Sequence, residues 1–142
     1  MTSLHARVLA PGSGGAGRAL VLTAPISFWG GVDPVTGTIT DVRHPQCGAS
    51  VAGTVLFLPG TIGSSSASSV LLELVHRRAA PVGIVMHLPD AILLLGLLAA
   101  REMEWPAPVA LQLDKALQPP FARRQTEVTA DGLILCRDEL QT

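Results

Sequence analysis

Two alternations of a buried strand with a helix constrain the fold of this chain more than any other feature. Residues 54–58, with the sequence TVLFL, form a continuous apolar run that is typical of a strand buried on both faces. Pro59 and Gly60 end this run, and a loop rich in Gly and Ser follows. Apolar side chains then recur at the spacing of a helix, and the arginine pair that follows suits the negative end of the helix dipole.

The same alternation repeats further along the chain. Residues 82–88 are predicted to form a second buried strand, and Pro89 and Asp90 begin a second helix that runs to about Met103. This helix is apolar on nearly every side, which predicts that it packs in a core or against a partner. Residues 108–113 form a third strand, so the middle of the chain has the order β-α-β-α-β and belongs to the α/β class.

The two ends of the chain carry different signals. Residues 1–18 finish in a run of Pro, Gly and Ser and are predicted to be a flexible leader, followed by a single domain over residues 19–142. Short strands are expected at residues 19–22 and 38–42. Near the other end, Asp131-Gly132 lies between two apolar runs and predicts a hairpin.

The composition limits the classes of function that the chain could have. Charged residues make up 15% of the chain, against roughly 25% in an average globular protein, which fits either a surface partly covered by a partner or a compact domain rich in Ala and Leu. The net charge of −1 and two isolated arginine pairs are too little for a nucleic-acid surface. The uninterrupted apolar run at residues 91–100 is too short to cross a bilayer, and the first residues lack the pattern of a secretory signal. We therefore expect a cytoplasmic protein that binds neither nucleic acid nor membrane.

The cysteines give no sign of a metal site. Cys47 and Cys136 lie far apart and belong to no CxxC or zinc-finger motif. Free thiols are favoured over a disulfide in a cytosolic protein. No cofactor is therefore expected to be bound by this chain alone.

The segment with the most chemical content is LFLPGTIGSSSASSVLLEL at residues 56–74, where a strand passes through a Gly/Ser loop into a helix. The first turn of a helix has free N–H groups and a partial positive charge, so this junction suits an anion. Gly63 lets the backbone approach a ligand, and the serine hydroxyls add short donors and acceptors. The alternative is structural: Ser66, Ser68 or Ser69 caps the helix and the other serines are solvated.

Other catalytic motifs do not match this loop. It lacks the Gly-Lys-Ser/Thr of a Walker A loop and the Gly-x-Ser-x-Gly of a nucleophile elbow. A Ser-His-Asp hydrolase stays open because His44, Asp33 and similar residues exist, although their spacing does not favour it. Arg43 and His44 could meet an acidic ligand, and solvation or a local salt bridge is an equal alternative.

The run from residue 27 to residue 74 resembles the swivel domain of aconitase X. It contains SFWGGVDP, then RHPQCG, then SVAG, and then the Gly-Ser-Ser loop before a helix. The likeness continues through PVGIVMHLPDAILLLGLLAAREME and covers about residues 20–113, while the tail from Lys115 carries little of it. Cys47 stands where many members of the family have a His, and we do not take it as a metal ligand.

The resemblance implies a swivelling β/β/α domain, in which a closed or nearly closed sheet carries flanking helices. It also implies a dehydratase, a hydro-lyase whose iron–sulfur cluster is bound by cysteines of a large partner subunit. This chain would then be the small subunit of a heterodimer, inactive alone, or a piece of an enzyme in which the two parts are fused. Bacterial members act on cis-3-hydroxy-L-proline, giving Δ1-pyrroline-2-carboxylate, and archaeal members act on mevalonate 5-phosphate.

The resemblance also assigns roles to residues. Ser64 matches the serine base that removes the proton next to the substrate carboxylate, and Ser65 matches the neighbour that helps bind the acid group. Ser66 stands where aconitase has an arginine, so backbone N–H groups, other serines or the large subunit must meet the substrate's charge. The candidate substrate-binding residues are Ser65, Ser66, Gly63, Gly31, Asp33, Arg43 and His44.

Two classes of function follow. The first is the small subunit of a lyase that acts on a small hydroxy acid, and the second is a stand-alone swivel-like module that only binds. Among substrates, cis-3-hydroxy-L-proline is favoured because the serine run at residues 64–66 is more similar to the bacterial loop. Mevalonate 5-phosphate is the alternative.

Overall fold

A computed structural model describes residues 2–137 of the chain. They form eight strands, three helices and two 3₁₀ turns. In chain order these are β1 Thr2–His5, β2 Arg7–Ala10, β3 Gly15–Val21, α1 Phe28–Gly31, β4 Val55–Leu58, α2 Ala67–His76, β5 Gly83–Met86, α3 Ala91–Glu102, β6 Val109–Gln112, the 3₁₀ turns Lys115–Leu117 and Pro119–Phe121, β7 Gln125–Val128 and β8 Leu133–Cys136.

The strands form one mixed sheet in the order β1-β8-β7-β3-β4-β5-β6-β2. Its centre is parallel, because β3, β4, β5 and β6 all run in one direction. The flanking strands pair antiparallel, with β7 against β3 on one side and β2 against β6 on the other. The predicted β-α-β-α-β order is confirmed, and so is the hairpin, which is β7 paired antiparallel with β8.

The sheet is not closed into a barrel, yet one residue joins its two ends. β1 pairs with β8 at one end of the order and β2 pairs with β6 at the other. Only Ala6 separates these two strands in sequence, and its N–H donates to the carbonyl of Gly132 at 2.8 Å. The chain therefore crosses from one end of the sheet to the other within a single residue, in keeping with the nearly closed sheet that was predicted.

The predicted flexible leader over residues 1–18 is wrong for the described part of the chain. β1 and β2 lie within residues 2–10 and pair with β8 and β6, and β3 begins at Gly15, four residues before the predicted start. The glycines that indicated a linker allow close backbone approach instead. A Cβ on Gly17 would lie 2.2 Å from the carbonyl oxygen of Gly53, and a Cβ on Gly12 would lie 2.5 Å from the backbone of Pro108.

The side chains of the central strands alternate between two cores. Leu56 and Leu58 join the core that α2 and α3 cover, while Val55 and Phe57 join a second core on the other face. In that second core, the ring of Phe57 stacks on Phe121 with centroids 5.2 Å apart. Burial on both faces is what the continuous apolar run at residues 54–58 predicted.

The apolar helix α3 packs closely on α2. A Cβ on Gly96 of α3 would lie 2.9 Å from the backbone oxygen of Ser68 in α2, so only glycine permits this distance. Leu93 and Leu97 are fully buried between the helices and the sheet, whereas Leu95 and Leu98 are exposed. Within residues 2–137, no helix combines the length and the hydropathy that a membrane crossing requires.

The strand predicted at residues 38–42 is reduced to isolated bridges. Thr38 pairs with Ser50, and Ile39 pairs with Val32. Glycines at this segment's borders, such as Gly37 with a φ of +78°, turn the chain before a ladder can extend. Residues 22–54 therefore form one long connection, which brings the FWGG and HPQ motifs to the sheet as loops.

Candidate functional site

The four parallel strands end at the same edge of the sheet, which we call the carboxyl edge. The loops at residues 22–54, 59–66, 87–90 and 113–124 all leave from this edge. Ligands of open α/β sheets bind outside the carboxyl ends of the strands. The Gly/Ser loop, the FWGG motif and the HPQ motif are therefore brought to the edge where such sites form.

The Gly/Ser loop is fixed at its start by two neighbouring segments. Thr61 forms a parallel bridge with Ile26, and the N–H of Ile62 donates to the Ile26 carbonyl at 3.0 Å. The hydroxyl of Thr61 also donates to Oδ2 of Asp90 at 2.7 Å. Oδ1 of the same Asp90 caps α3 by accepting from the N–H groups of Ile92 and Leu93. One carboxylate thus ties the start of the loop to the start of α3.

The serines follow this fixed start, at the entry to α2. The N–H of Ala67 donates to the Ser64 carbonyl at 3.0 Å, and the N–H of Ser66 donates to the Ser64 hydroxyl oxygen at 3.3 Å. Within residues 2–137, the N–H groups of Gly63, Ser64 and Ser65 have no acceptor. A Cβ on Gly63 would meet no atom within 4 Å, so the space beside the loop is open. The loop therefore presents free N–H donors and hydroxyls together, as a carboxylate site requires.

The structural alternative, a serine side chain that caps α2, is not what the described residues form. Ser66 occupies the N-cap position, but its side chain makes no capping hydrogen bond. The hydroxyl of Ser68 donates to the Ser65 carbonyl at 3.3 Å, which is a local contact of the first turn. Among the described residues, the unused N–H donors at this junction are therefore those of Gly63, Ser64 and Ser65 in the loop and that of Ser68 in the first turn of α2.

The FWGG motif lies beside this junction as a distorted helical turn. Phe28 is fully buried in the core under α2, while Trp29 is 59% exposed. Gly30 has a φ of +80°, a left-handed conformation that favours glycine, and it reverses the chain after the indole. Trp29, Gly30, Asp33 and Val70 line a surface cavity of about 470 Å³, so the cavity connects the motif to the first turns of α2.

Gly31 and Asp33 hold the loop that carries this cavity. The Gly31 carbonyl accepts from the N–H of Thr40 at 2.9 Å, and Gly31 is buried. Oδ1 of Asp33 accepts from the N–H of Val35 at 2.8 Å, which closes a turn. The structure therefore places Asp33 at the cavity wall and gives Gly31 a backbone role. Substrate contact by either residue stays a prediction.

Arg43 and His44 lie in a loop that the HPQ motif anchors to the end of β3. His44 is 5% exposed, its Nε2 lies 2.9 Å from the Ala24 carbonyl, and its Nδ1 accepts from the N–H of Gln46 at 3.0 Å. Both ring nitrogens are therefore used inside the protein. Arg43 is exposed, and its backbone N–H donates to Oδ1 of Asp41 at 3.0 Å. Their predicted contact with substrate remains a prediction, and the geometry favours Arg43 over His44 for it.

Sequence reasoning missed the residues that hold the site. The link between Asp90 and the serine loop was not foreseen, and Gln46 was not singled out. The Gln46 side chain accepts from the Thr23 N–H at 3.1 Å and donates to the Thr23 hydroxyl at 3.0 Å. Pro-Asp ahead of an apolar run is an N-cap signal, but only the fold shows that the second carboxylate oxygen reaches Thr61. Long-range partners of this kind leave no local pattern.

The chain is similar to proteins of one family. A family model described as the aconitase X swivel domain matches residues 3–134. Cis-3-hydroxy-L-proline dehydratase of Pseudomonas aeruginosa is 44% identical over 103 residues, which are 70% of this chain and 18% of that protein. The phosphomevalonate dehydratase small subunit of Methanopyrus kandleri is 47% identical over 79 residues, or 56% of this chain and 58% of that one. The corresponding small subunit of Methanothrix thermoacetophila is 36% identical over 130 residues, which cover 86% of this chain and 93% of the relative.

Two solved structures share the fold of this chain. The crystal structure of Thermococcus kodakaraensis aconitase X in its holo form superposes with a TM-score of 0.84 at 26% identity, over 97% of this chain and 100% of that one. A UPF0107 protein determined by solution NMR has a TM-score of 0.80 at 28% identity, over 96% of this chain and all of the other. The chain spans less than two thirds of the first two curated relatives, 18% and 58% of their lengths.

Proposed function

Because the chain belongs to the aconitase X swivel-domain family, we propose that it is the small subunit of a two-part dehydratase and supplies the serine loop of a shared active site. The observation that carries this proposal is the group of unused N–H donors at residues 63–65 together with the serine hydroxyls at residues 64–66, beside open space at the entry to α2. Relatives named as small subunits of phosphomevalonate dehydratases support the division into two chains.

In the proposed reaction, Ser64 takes the proton from the carbon next to the substrate carboxylate. The C2–H bond breaks and its electron pair forms a C2=C3 double bond, while the C3–O bond breaks and the departing hydroxide takes a proton from a group of the large subunit to leave as water. With cis-3-hydroxy-L-proline, the enamine formed in this way becomes Δ1-pyrroline-2-carboxylate by a proton shift from the ring nitrogen to C3. The free N–H groups at residues 63–65 would hold the carboxylate, where the partial charge of the α2 N-terminus adds to their effect. A serine is a weak base in water, so the site must be dry and electropositive when it acts.

The described residues do not fit an iron–sulfur cluster. Within residues 2–137, no group of three or more His, Cys, Asp or Glu side chains could hold a metal ion. Cys47 is exposed in the HPQ loop, while Cys136 is buried in β8, and both are free. We therefore assign the cluster of the proposed enzyme to the large subunit, and no step here is drawn through it.

The partner is proposed to cover the carboxyl edge. Four large apolar side chains at this edge are mostly or half exposed: Trp29 at 59%, Ile62 at 56%, Leu88 at 65% and Leu117 at 47%. All four lie in loops that leave the same edge of the sheet as the polar serine loop, and an apolar contact surface next to a polar site is the arrangement that excludes water from it. Cover by the large subunit would supply the dry surroundings that Ser64 requires.

The substrate is proposed to be cis-3-hydroxy-L-proline, dehydrated to Δ1-pyrroline-2-carboxylate. Besides the serine run, the small number of cationic side chains in residues 22–66, from the end of β3 to the entry of α2, supports this choice. Residues 22–66 contain a single Arg or Lys, Arg43, and two acidic residues, Asp33 and Asp41. A phosphate monoester calls for several cations or Arg forks, whereas an amino acid needs one carboxylate site. Mevalonate 5-phosphate stays the second candidate because small subunits with that activity in their names are similarly close relatives.

Co-expression with a candidate large subunit tests the proposal. We expect the complex to dehydrate cis-3-hydroxy-L-proline, while neither chain alone turns over. Mevalonate 5-phosphate serves as the second substrate in the same assay. If the complex acts on mevalonate 5-phosphate and not on cis-3-hydroxy-L-proline, the proposed substrate is wrong, while the proposal that the chain is a small dehydratase subunit stands. Failure of the two chains to associate would favour the alternative, a swivel-like module that only binds.

A further inference from the structure

A second cavity lies at the carboxyl edge, apart from the serine loop. It has a volume of about 330 Å³ and is formed by the ends of β3 and β4 and by the segment that contains the two 3₁₀ turns. None of its lining residues belongs to the Gly/Ser loop at residues 63–66 or to the cavity beside Trp29. The proposed dehydration therefore does not account for it.

The floor of this cavity holds a buried amide whose orientation is fixed. Gln118 is 1% exposed, and its Nε2 donates to the carbonyls of Leu58 at 3.2 Å and of Leu113 at 3.0 Å. Two carbonyl oxygens can only accept, so they identify the nitrogen end of the amide. Oε1 must then face away from them.

The oxygen of the same amide accepts no hydrogen bond from any donor of residues 2–137. The oxygen is not sealed off, because no side-chain polar atom in the described part of the chain is both fully buried and unpaired. A buried side chain normally satisfies both ends of its amide, so Oε1 calls for a donor from a molecule in the cavity.

The walls and rim add two further requirements. Val21, Leu22, Pro59 and Pro119 give the cavity an apolar lining. Lys115 is exposed at its rim and brings a positive charge. Apolar walls with a few fixed polar groups are the general form of a small-molecule site. The complementary ligand has a compact hydrocarbon body, one N–H donor and one carboxylate.

We propose that this cavity binds a small apolar amino or imino acid. Its N–H donates to Gln118 Oε1, its carboxylate meets the ammonium of Lys115, and its hydrocarbon part lies against Val21 and the two prolines. The site lies next to Pro59, four residues before Gly63, so an occupant would contact the segment that leads into the serine loop. The inference goes beyond the proposed function, and its test does not require the dehydratase to be active.

The test is a titration of the ¹⁵N-labelled full chain with L-proline, followed by NMR. We expect saturable shifts confined to amides that line the cavity, including those of Val21, Thr23 and Gln118. Two analogues separate the contacts: tetrahydrofuran-2-carboxylate lacks the N–H donor, and L-prolinamide lacks the carboxylate. Each should bind at least about tenfold more weakly, since each loses one hydrogen bond to the protein.

Variants provide the second arm. Ala122→Leu fills the cavity and Lys115→Gln removes the rim charge, and both should abolish or weaken the shifts. Ala91→Leu and Arg101→Gln make the same changes on the exposed part of α3, outside the cavity, and should bind as the parent chain does. The proposal is overturned if high millimolar L-proline produces no saturable shift at the cavity, or if Ala122→Leu binds unchanged. If both analogues bind as tightly as L-proline, the proposal is likewise overturned, because neither Gln118 nor Lys115 would then recognise the ligand.

Discussion

Replacing Ser64 by alanine separates a catalytic role of the serine loop from a structural one. Loss of a general base lowers kcat by about 10²- to 10⁴-fold, which corresponds to ~2.7–5.5 kcal/mol of transition-state stabilisation. The structural loss is much smaller. The Ser64 hydroxyl accepts one hydrogen bond, from the Ser66 N–H, and its length of 3.3 Å is beyond the usual range.

The expected change in stability follows from that single bond. A net contribution of about 0.5–1.5 kcal/mol is typical of a protein hydrogen bond, and a long, half-buried one lies at the low end. The unfolding midpoint of Ser64→Ala should therefore fall by less than about 5 °C. If the subunits still associate, a loss of kcat whose free-energy equivalent exceeds this stability effect by several kcal/mol is assigned to the chemistry.

Ser68→Ala is the matched control. The Ser68 hydroxyl also makes one hydrogen bond, to the Ser65 carbonyl, and its length is again 3.3 Å. The control thus removes an equivalent bond one turn further along, and kcat should not change. Steady-state kinetics of the assembled enzyme, thermal unfolding and a subunit-association measurement are made on both variants and on Ser65→Ala and Ser66→Ala.

The outcomes are distinct. Near-normal kcat in Ser64→Ala together with a large loss in Ser65→Ala or Ser66→Ala would show that the base is a neighbour in the serine run. Near-normal kcat in all four variants would refute the reasoning and place the base on the large subunit. A loss of subunit association in Ser64→Ala would mean that the kinetic defect reports assembly and not proton transfer.

Three further predictions concern other parts of the chain. Asp90→Ala removes the cap of α3 and the Thr61 contact, so the unfolding free energy should fall by about 1–2 kcal/mol by denaturant titration, whereas Thr61→Val should lose less because the cap remains. Iron and sulfide analysis of the chain purified alone under anaerobic conditions should find neither, and stoichiometric iron would contradict the assignment of the cluster to a partner. The pKa of Asp131 is lowered, mainly because the Thr129 hydroxyl donates to its carboxylate; in Thr129→Val it should rise toward its ordinary value in an NMR titration, and an unchanged pKa would exclude that bond as the cause. Because a lowered folded pKa stabilises only above the unfolded value, any stability that Asp131 adds should disappear as the pH falls through its folded pKa.

The parts of the fold that were predictable are those that local pattern determines. Apolar runs bounded by Pro and Gly located β4, β5 and β6, and helical spacing located α2 and α3 to within a few residues. The hairpin of β7 and β8 followed from Asp131-Gly132. These elements depend on burial and turn chemistry close in sequence.

The N-terminal strands were missed because glycine is common both in flexible linkers and where two backbones lie in close contact. Gly12, Gly14 and Gly17 indicated a linker, yet each lies against another backbone at a distance that no Cβ could occupy. The partners in these contacts are residues far along the chain, such as Gly53 and Pro108. Composition alone cannot tell close approach from flexibility.

The candidate site was located by sequence only as far as its motifs. The serine loop and the FWGG turn were both singled out, and the fold brings both to the carboxyl edge. His44 was singled out as a ligand contact, but the structure uses both of its ring nitrogens to hold the loop. A histidine in a polar loop gives the same local signal in either role, and only its partners distinguish them.

The hydrogen bonds around the serine loop also explain why this chain should need a partner. Dehydration requires a base and a group that assists departure of the hydroxyl. The acid that the structure brings against the loop is Asp90, and both of its oxygens are already occupied, one by the Thr61 hydroxyl and the other by the first N–H groups of α3. Because both oxygens of Asp90 accept hydrogen bonds within the protein, neither is available to a hydroxyl that leaves from a substrate at the serine loop. Ser64 could thus remove a proton, but the group that assists departure of the hydroxyl would have to belong to the large subunit. That subunit would contact the carboxyl edge at the exposed Trp29 and Ile62.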